Sequence, residues 1–169
     1  FPDKDCLDYQ RVLFENNKIN RFIFSRGCVY ECTYCSNKSI ATLYNDSYFR
    51  FCSPEKAIEE IESDVKKYKF DAIIFDDDIF ALNKKWCYEF LDLYKQNFKF
   101  PFQCNLRPDT IDVQLISNLK EAGAKKVIIG IEHGNERFRQ KVLRRNITDQ
   151  QIIDAFMLCK EFHLNSQAQ

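Results

Sequence analysis

The stretch with the plainest chemical potential is Ser25-Arg26-Gly27-Cys28-Val29-Tyr30-Glu31-Cys32-Thr33-Tyr34-Cys35-Ser36, in which three cysteines fall within eight residues between polar and glycine-containing flanks. Thiolates three and four positions apart on a turning loop can converge on one metal centre, whereas a disulfide would join two of them and strand the third. Three thiolates can hold three irons of a four-iron cluster and leave the fourth without a protein ligand, much as catalytic metal sites keep one position open. A zinc knot would need four ligands. No His stands at matching spacing, and the nearest further cysteine, Cys52, is seventeen positions on. Chance clustering of buried thiols is the other alternative.

The elements that must position this loop alternate along the chain. Residues 1–20 carry no sustained periodicity and read as an irregular lead-in. Residues 21–25 are rich in strand formers and feed directly into the cysteines. After a polar stretch to Phe51, Ser53-Pro54 opens a helix with a capping side chain and a proline where its missing N–H costs nothing. Ile58, Ile61, Val65 and Tyr68 mark its inner face. The apolar run 72–75 then predicts a strand covered on both sides, ending in Asp76-Asp77-Asp78.

The unit repeats. Asn83 caps a helix marked by Cys87, Phe90, Leu91 and Tyr94, a strand over 100–106 ends at Arg107, and Ile111, Leu115, Leu119 and Ala122 trace a helix stopped by Gly123. A fourth strand over 127–131 ends at Glu132. A short helix over 135–143 follows, then a helix opened by the capping-box pattern Thr148-x-x-Gln151, with Ile152, Phe156 and Cys159 facing inward. Residues 165–169 read as a polar tail, not a fifth strand. Since β/α barrels take about 250 residues for eight units, four units predict an incomplete barrel. The cysteine loop, the Asp triplet, Arg107 and Glu132 all fall at carboxyl ends of strands, the face where parallel α/β folds bind ligands.

Cys28-x-x-x-Cys32-x-x-Cys35, with aromatic Tyr34 before the last cysteine, resembles the signature of the radical S-adenosylmethionine (SAM) enzymes. The run from Arg26 to Ser36 is similar to that of their cobalamin-binding subgroup, with Val29 where that subgroup often has proline. The resemblance implies an α/β fold, a partial (β/α) parallel barrel of the radical SAM type truncated after about four β/α units, with the core over residues 21–164. It implies a 4Fe-4S cluster held by Cys28, Cys32 and Cys35, and S-adenosylmethionine chelated at the open iron and cleaved to a 5′-deoxyadenosyl radical. Tyr34, Asp76, Asp77, Asp78, Arg107, Glu132 and Arg145 become the candidate cofactor-binding residues. One of the three Asp would receive the methionine amino group, although this sequence lacks the glycines that many members have there. Glu132 matches a ribose-binding position, and Arg107 and Arg145 suit the methionine carboxylate because guanidinium meets carboxylate bidentately. The resemblance also implies cobalamin, through a domain preceding Phe1 to which the lead-in would be the linker, and a methyl transfer or rearrangement.

Each residue has a plainer reading beside this one: an Asp can cap a turn or hold a solvent cation, and an Arg can form a surface ion pair. His133 reads as a structural imidazole, His163 as a cation at a helix end, and Trp86 as core. Composition narrows the rest. A 45% hydrophobic content with 16 Phe and 8 Tyr suffices for one core, and 25 basic against 25 acidic residues recruit neither nucleic acid nor an anionic membrane. No apolar run of about eighteen residues is present to span a bilayer. The remaining cysteines, Cys6, Cys52, Cys87, Cys104 and Cys159, are scattered and suit a reducing, cytoplasmic setting. The expected partners are a small-molecule substrate and an electron donor such as a flavodoxin or ferredoxin. The alternatives are an iron–sulfur electron-transfer or structural module without its own substrate, and a methylthiotransferase acting on RNA or protein.

Overall fold

A computed structural model describes residues 3–44 and 48–169. The lead-in is more ordered than its sequence suggests. Asp8 caps a seven-residue helix, α1 (Tyr9–Glu15), by accepting from the Arg11 N–H, and only Leu13 of that helix is buried. A helix this short with one core contact leaves no periodicity to read. Its Tyr9 hydroxyl donates to Asn20 Oδ1 at 2.8 Å, and Asn20 Nδ2 donates to Asp64 at 2.8 Å, a buried carboxylate that also pairs with Lys4. The lead-in is thereby fastened under the first strand. Phe1 and Pro2 lie outside the described residues.

Strand β1 (Ile19–Phe22) starts two residues before the expected position and stops before the cysteines, because beyond Phe22 the backbone turns to other partners. Ser25–Arg26 (β2) leaves the main sheet and pairs antiparallel with β3 (Arg50–Phe51). Between them lies α2 (Ser36–Leu43), a helix that sequence reading missed because none of its residues is buried and no apolar stripe marks it. The expected crossover elements then follow: α3 (Pro54–Lys67), β4 (Ala72–Phe75), α4 (Lys84–Asn97), β5 (Phe102–Leu106), a 3-10 turn at Pro108–Thr110, α5 (Val113–Glu121), β6 (Ala124–Ile129), α6 (Glu136–Lys141) and α7 (Asp149–Glu161). Ser53, Asn83, Asp112, Asn135 and Thr148 each cap the helix they precede.

The chain then departs from expectation. Residues read as a polar tail form a fifth parallel strand, β7 (Asn165–Ala168), in register with β6 from Lys126↔Asn165 to Ile129↔Ala168. Backbone pairing drives it. Leu164, 4% exposed, anchors its start, and the polar side chains of Asn165 and Gln167 stay exposed on this edge strand. The five-stranded sheet runs β1-β4-β5-β6-β7, and every neighbouring pair is parallel. Chain order therefore equals sheet order, the arrangement of a barrel wall, and all carboxyl ends share one rim.

Aromatic side chains fill the space between sheet and helices. Phe75 at the end of β4 meets Phe80, Phe90 and Phe102 with ring centroids 5.1–5.3 Å apart, and Trp86 stacks on Phe90 at 5.2 Å. The Trp86 indole N–H donates to the Cys52 carbonyl at 2.7 Å, so a core ring keeps its polar atom satisfied while holding β3.

Of the Asp triplet, Asp77 serves this scaffold. It is 1% exposed, and its Oδ1 accepts from the Phe24 N–H at 3.0 Å, the Ser25 N–H at 2.6 Å and the Ser25 hydroxyl. It closes the gap where β1 ends and the cysteine loop begins. Asp76 is engaged by Arg21, through Nε at 2.7 Å and Nη2 at 2.6 Å. Neither of these two carboxylates lines the cavity described below, since the course of the chain past β4 turns Asp77 into the core and Asp76 toward Arg21.

Truncation of Phe75 to Ala should cost about 3–5 kcal/mol, read as a fall in thermal midpoint. Asp77→Ala should cost about 1–3 kcal/mol for each buried donor it orphans. Burial pushes the Asp77 carboxyl above its ordinary value, against the pull of the hydroxyl and backbone donors. A raised folded value gives stability complete below the unfolded value of about 3.9 and lost as pH rises through the folded one. Asp77→Asn keeps the acceptor and cannot titrate, so wild type should lose stability relative to it between those limits; parallel curves of thermal midpoint against pH would contradict this.

Candidate active site

A cavity of about 230 Å³ opens at the carboxyl rim of the sheet. Cys28, Cys32 and Cys35 line it together with Tyr34, Asp78, Arg107, Glu132 and Arg145, so the structure brings together every candidate site residue except Asp76 and Asp77. The cysteine loop supplies one wall. It is held at Asp77 as described, at Thr33, whose N–H and hydroxyl donate to the Leu143 and Val142 carbonyls at 3.1 and 2.9 Å, and at Asn37, which donates to Asp78 at 2.8 Å. Gly27 is required at its start: φ is +83°, and a Cβ there would lie 2.6 Å from the Tyr48 ring.

The three thiols are free of disulfides. Cys35 precedes α2 in the capping position without spending its sulfur on a hydrogen bond. Two buried guanidiniums converge on Cys32, itself 5% exposed: Arg107 Nη1 and Arg145 Nη1 each stand 3.9 Å from its sulfur. Burial pushes the Cys28 thiol up.

Each arginine is fixed by its other atoms. Arg107 donates through Nε to Asp109 at 2.7 Å, while the Tyr30 ring lies 3.7 Å from its guanidinium carbon. Arg145 donates through Nη2 to the Gly130 carbonyl at 2.6 Å, lies 3.8 Å from Glu132 Oε1, and keeps a buried Nε with no partner. A Cβ at Gly130 would come within 2.8 Å of both Arg145 Nη2 and Glu132 Oε1, so the close approach of this pair needs glycine. Glu132 occupies the left-handed region at φ 70°, and its N–H donates to the backbone oxygen of Gln169 beyond β7 at 2.9 Å. Burial raises the Tyr34 phenol well above its ordinary value, keeping it a neutral hydroxyl beside Arg145 at 3.4 Å.

Sequence reasoning missed four polar linings, Tyr30, Asn37, Asn105 and Gln169. A signal existed for Asn105. In β5, Phe102, Cys104 and Leu106 are buried and alternate with the half-buried Gln103 and Asn105, a pattern that a period-two reading would have exposed. Gln169 depends on a strand that the side chains do not announce. His133 stays outside the cavity: its Nδ1 accepts from the Asn135 N–H at 3.0 Å and its ring rests on Phe138.

The donor set fits an iron–sulfur cluster. Among the described residues, no three His, Cys, Asp or Glu side chains are gathered tightly enough to share one metal ion. Cys52, the nearest other cysteine in sequence, lines a different depression beside Arg26 and Arg50, which leaves three thiols on the cavity.

Comparison with known proteins gives the same direction. The chain is 29% identical over 166 residues to an uncharacterized methyltransferase, PH0819, of Pyrococcus horikoshii, covering 98% of this chain and 35% of the relative. It is 25% identical over 173 residues to the anaerobic magnesium-protoporphyrin IX monomethyl ester cyclase of Rubrivivax gelatinosus, covering 99% and 30%. The chain thus spans about a third of the length of the curated relatives it matches. Among solved structures, the radical S-adenosylmethionine methyltransferase TsrM from Kitasatospora setae shares the fold. Its form with tryptophan substrate and a SAM analogue bound gives a TM-score of 0.77 at 15% identity over 94% of this chain and 31% of that one. Its form with cobalamin and a [4Fe-4S] cluster bound gives 0.75 at 16% identity over 92% and 32%. The family described as the Radical SAM superfamily matches residues 22–167, nearly the whole alternating sheet and the cavity at its rim, and the chain belongs to it.

Proposed function

We propose that Cys28, Cys32 and Cys35 hold a [4Fe-4S] cluster at this cavity and that S-adenosylmethionine binds beside it. The observation that carries the reading is the meeting of three free thiols, two buried arginines and two carboxylates on one cavity at the carboxyl rim. When bound, the cluster supplies one electron to the sulfonium of S-adenosylmethionine, breaking a carbon–sulfur bond to leave methionine and a 5′-deoxyadenosyl radical.

The chain's own residues divide the binding. Asp78, held by Asn37, presents a carboxylate to the methionine ammonium. Arg145, with an unspent buried Nε, suits the methionine carboxylate, and Arg107 adds positive charge beside Cys32. Glu132 accepts from the ribose hydroxyls, and Tyr34 borders the same ligand. Ile79, Leu106 and Ile128 line the cavity with apolar surface that limits water around the reacting bond.

For the whole protein we propose methyl transfer to a small-molecule substrate, with cobalamin bound outside the 169 residues and an electron donor such as a flavodoxin or ferredoxin. The methyltransferase named among the relatives and the cobalamin-bound form of TsrM support this choice. A carrier without its own substrate would have every iron protected by protein, and the position of Cys52 away from the cavity speaks against that.

Anaerobic reconstitution tests the centre. Alanine at Cys28, Cys32 or Cys35 should abolish iron loading and the visible absorbance of the cluster, while Cys87→Ala and Cys159→Ala keep both; full iron in Cys32→Ala would end the assignment. Glu132→Ala should retain the cluster and bind S-adenosylmethionine more weakly by about 1.5–3 kcal/mol, as measured by titration of the cluster spectrum. Affinity equal to wild type would remove Glu132 from the binding surface.

A further inference from the structure

Arg139 is 1% exposed yet lines no part of the cavity. Its three donor directions go to three different segments. Nη1 donates to the His133 carbonyl at 2.7 Å, in the connection from β6 to α6. Nε reaches the Ile147 carbonyl at 3.4 Å, in the connection from α6 to α7, and Nη2 pairs with Asp149 in the first turn of α7. Its backbone adds a fourth tie, because the Arg139 carbonyl accepts from the Arg145 N–H at 2.8 Å.

The two connections it joins are those that carry Glu132 and Arg145 to the rim. Glu132 lies one residue before the bound His133, and Arg145 two residues before the bound Ile147. Each connection also contains a side-chain-bearing residue in the left-handed region, Glu132 at φ 70° and Arg144 at φ 51°. Such conformations persist only where surrounding contacts determine them. A planar guanidinium can serve three acceptors at fixed angles, which a lysine ammonium on a flexible stem cannot reproduce.

We infer that Arg139 is a positioning residue for the cofactor pocket: it sets the spacing of Glu132 and Arg145, and through them the affinity for S-adenosylmethionine. The inference rests on the reading of the cavity given above. A purely structural Arg139 would affect stability alone, whereas the geometry assigns it an effect on binding in protein that is fully folded.

The test uses Arg139→Lys in the reconstituted protein, with Phe75→Ala as a control that lowers stability from within the aromatic core. At a temperature where all three proteins are folded, Arg139→Lys should load iron as wild type does and show a dissociation constant for S-adenosylmethionine at least about tenfold higher, while Phe75→Ala keeps the wild-type value. In the same proteins without cofactor, hydrogen exchange of residues 131–135 and 142–148 should quicken in Arg139→Lys and not in Phe75→Ala. Wild-type affinity in Arg139→Lys overturns the inference. Wild type that fails to bind S-adenosylmethionine overturns the reading of the cavity instead, and the exchange measurement then decides whether Arg139 holds the two connections. Should Arg139→Lys not fold, Asp149→Asn removes the charge that holds the guanidinium from an exposed position, with a smaller rise in dissociation constant expected and an unchanged constant overturning the inference.

Discussion

The cysteine loop cannot hold itself, and the rest of the structure follows from that. Residues 27–35 of the loop contain no helix or strand, and so no regular backbone pairing of their own fixes their course. Its shape is imposed from outside at three points: the Asp77 carboxylate at the start, the Val142 and Leu143 carbonyls gripping Thr33 in the middle, and the Asn37–Asp78 bond at the end. Those partners come from β4 and from the end of α6, elements separated in sequence by some sixty residues but adjacent at the rim because the strands run parallel in chain order.

Charge is the second imposed condition. Two guanidiniums buried beside one sulfur would repel one another and remain poorly solvated unless anionic groups lay near. Asp109 and Glu132 answer one arginine each, and the thiol of Cys32 lies between them. The Nε of Arg145 is buried and has no hydrogen-bond partner among the described residues.

Much of this was legible in the sequence. Cysteine spacing, apolar strands ending in polar residues and capping side chains at Ser53, Asn83 and Thr148 all reported local physics faithfully. What failed was whatever depended on backbone partners. The side chains of β7 give no strand pattern because its formation follows from the free edge of β6, and α2 shows no stripe because none of its residues is fully buried. The Asp triplet was ambiguous for a related reason. Its residues are chemically identical, and only the direction in which the chain leaves β4 sends Asp77 inward, Asp76 to Arg21 and Asp78 to the cavity.

The central claim is that three thiols of one cavity leave a single iron of a four-iron cluster to the cofactor. Mössbauer spectroscopy of the protein reconstituted with iron-57, recorded with and without S-adenosylmethionine, tests it directly. The account predicts that one iron site in four changes its isomer shift and quadrupole splitting when the cofactor is added, and the other three do not. A spectrum indifferent to S-adenosylmethionine, with all irons equivalent, would contradict it.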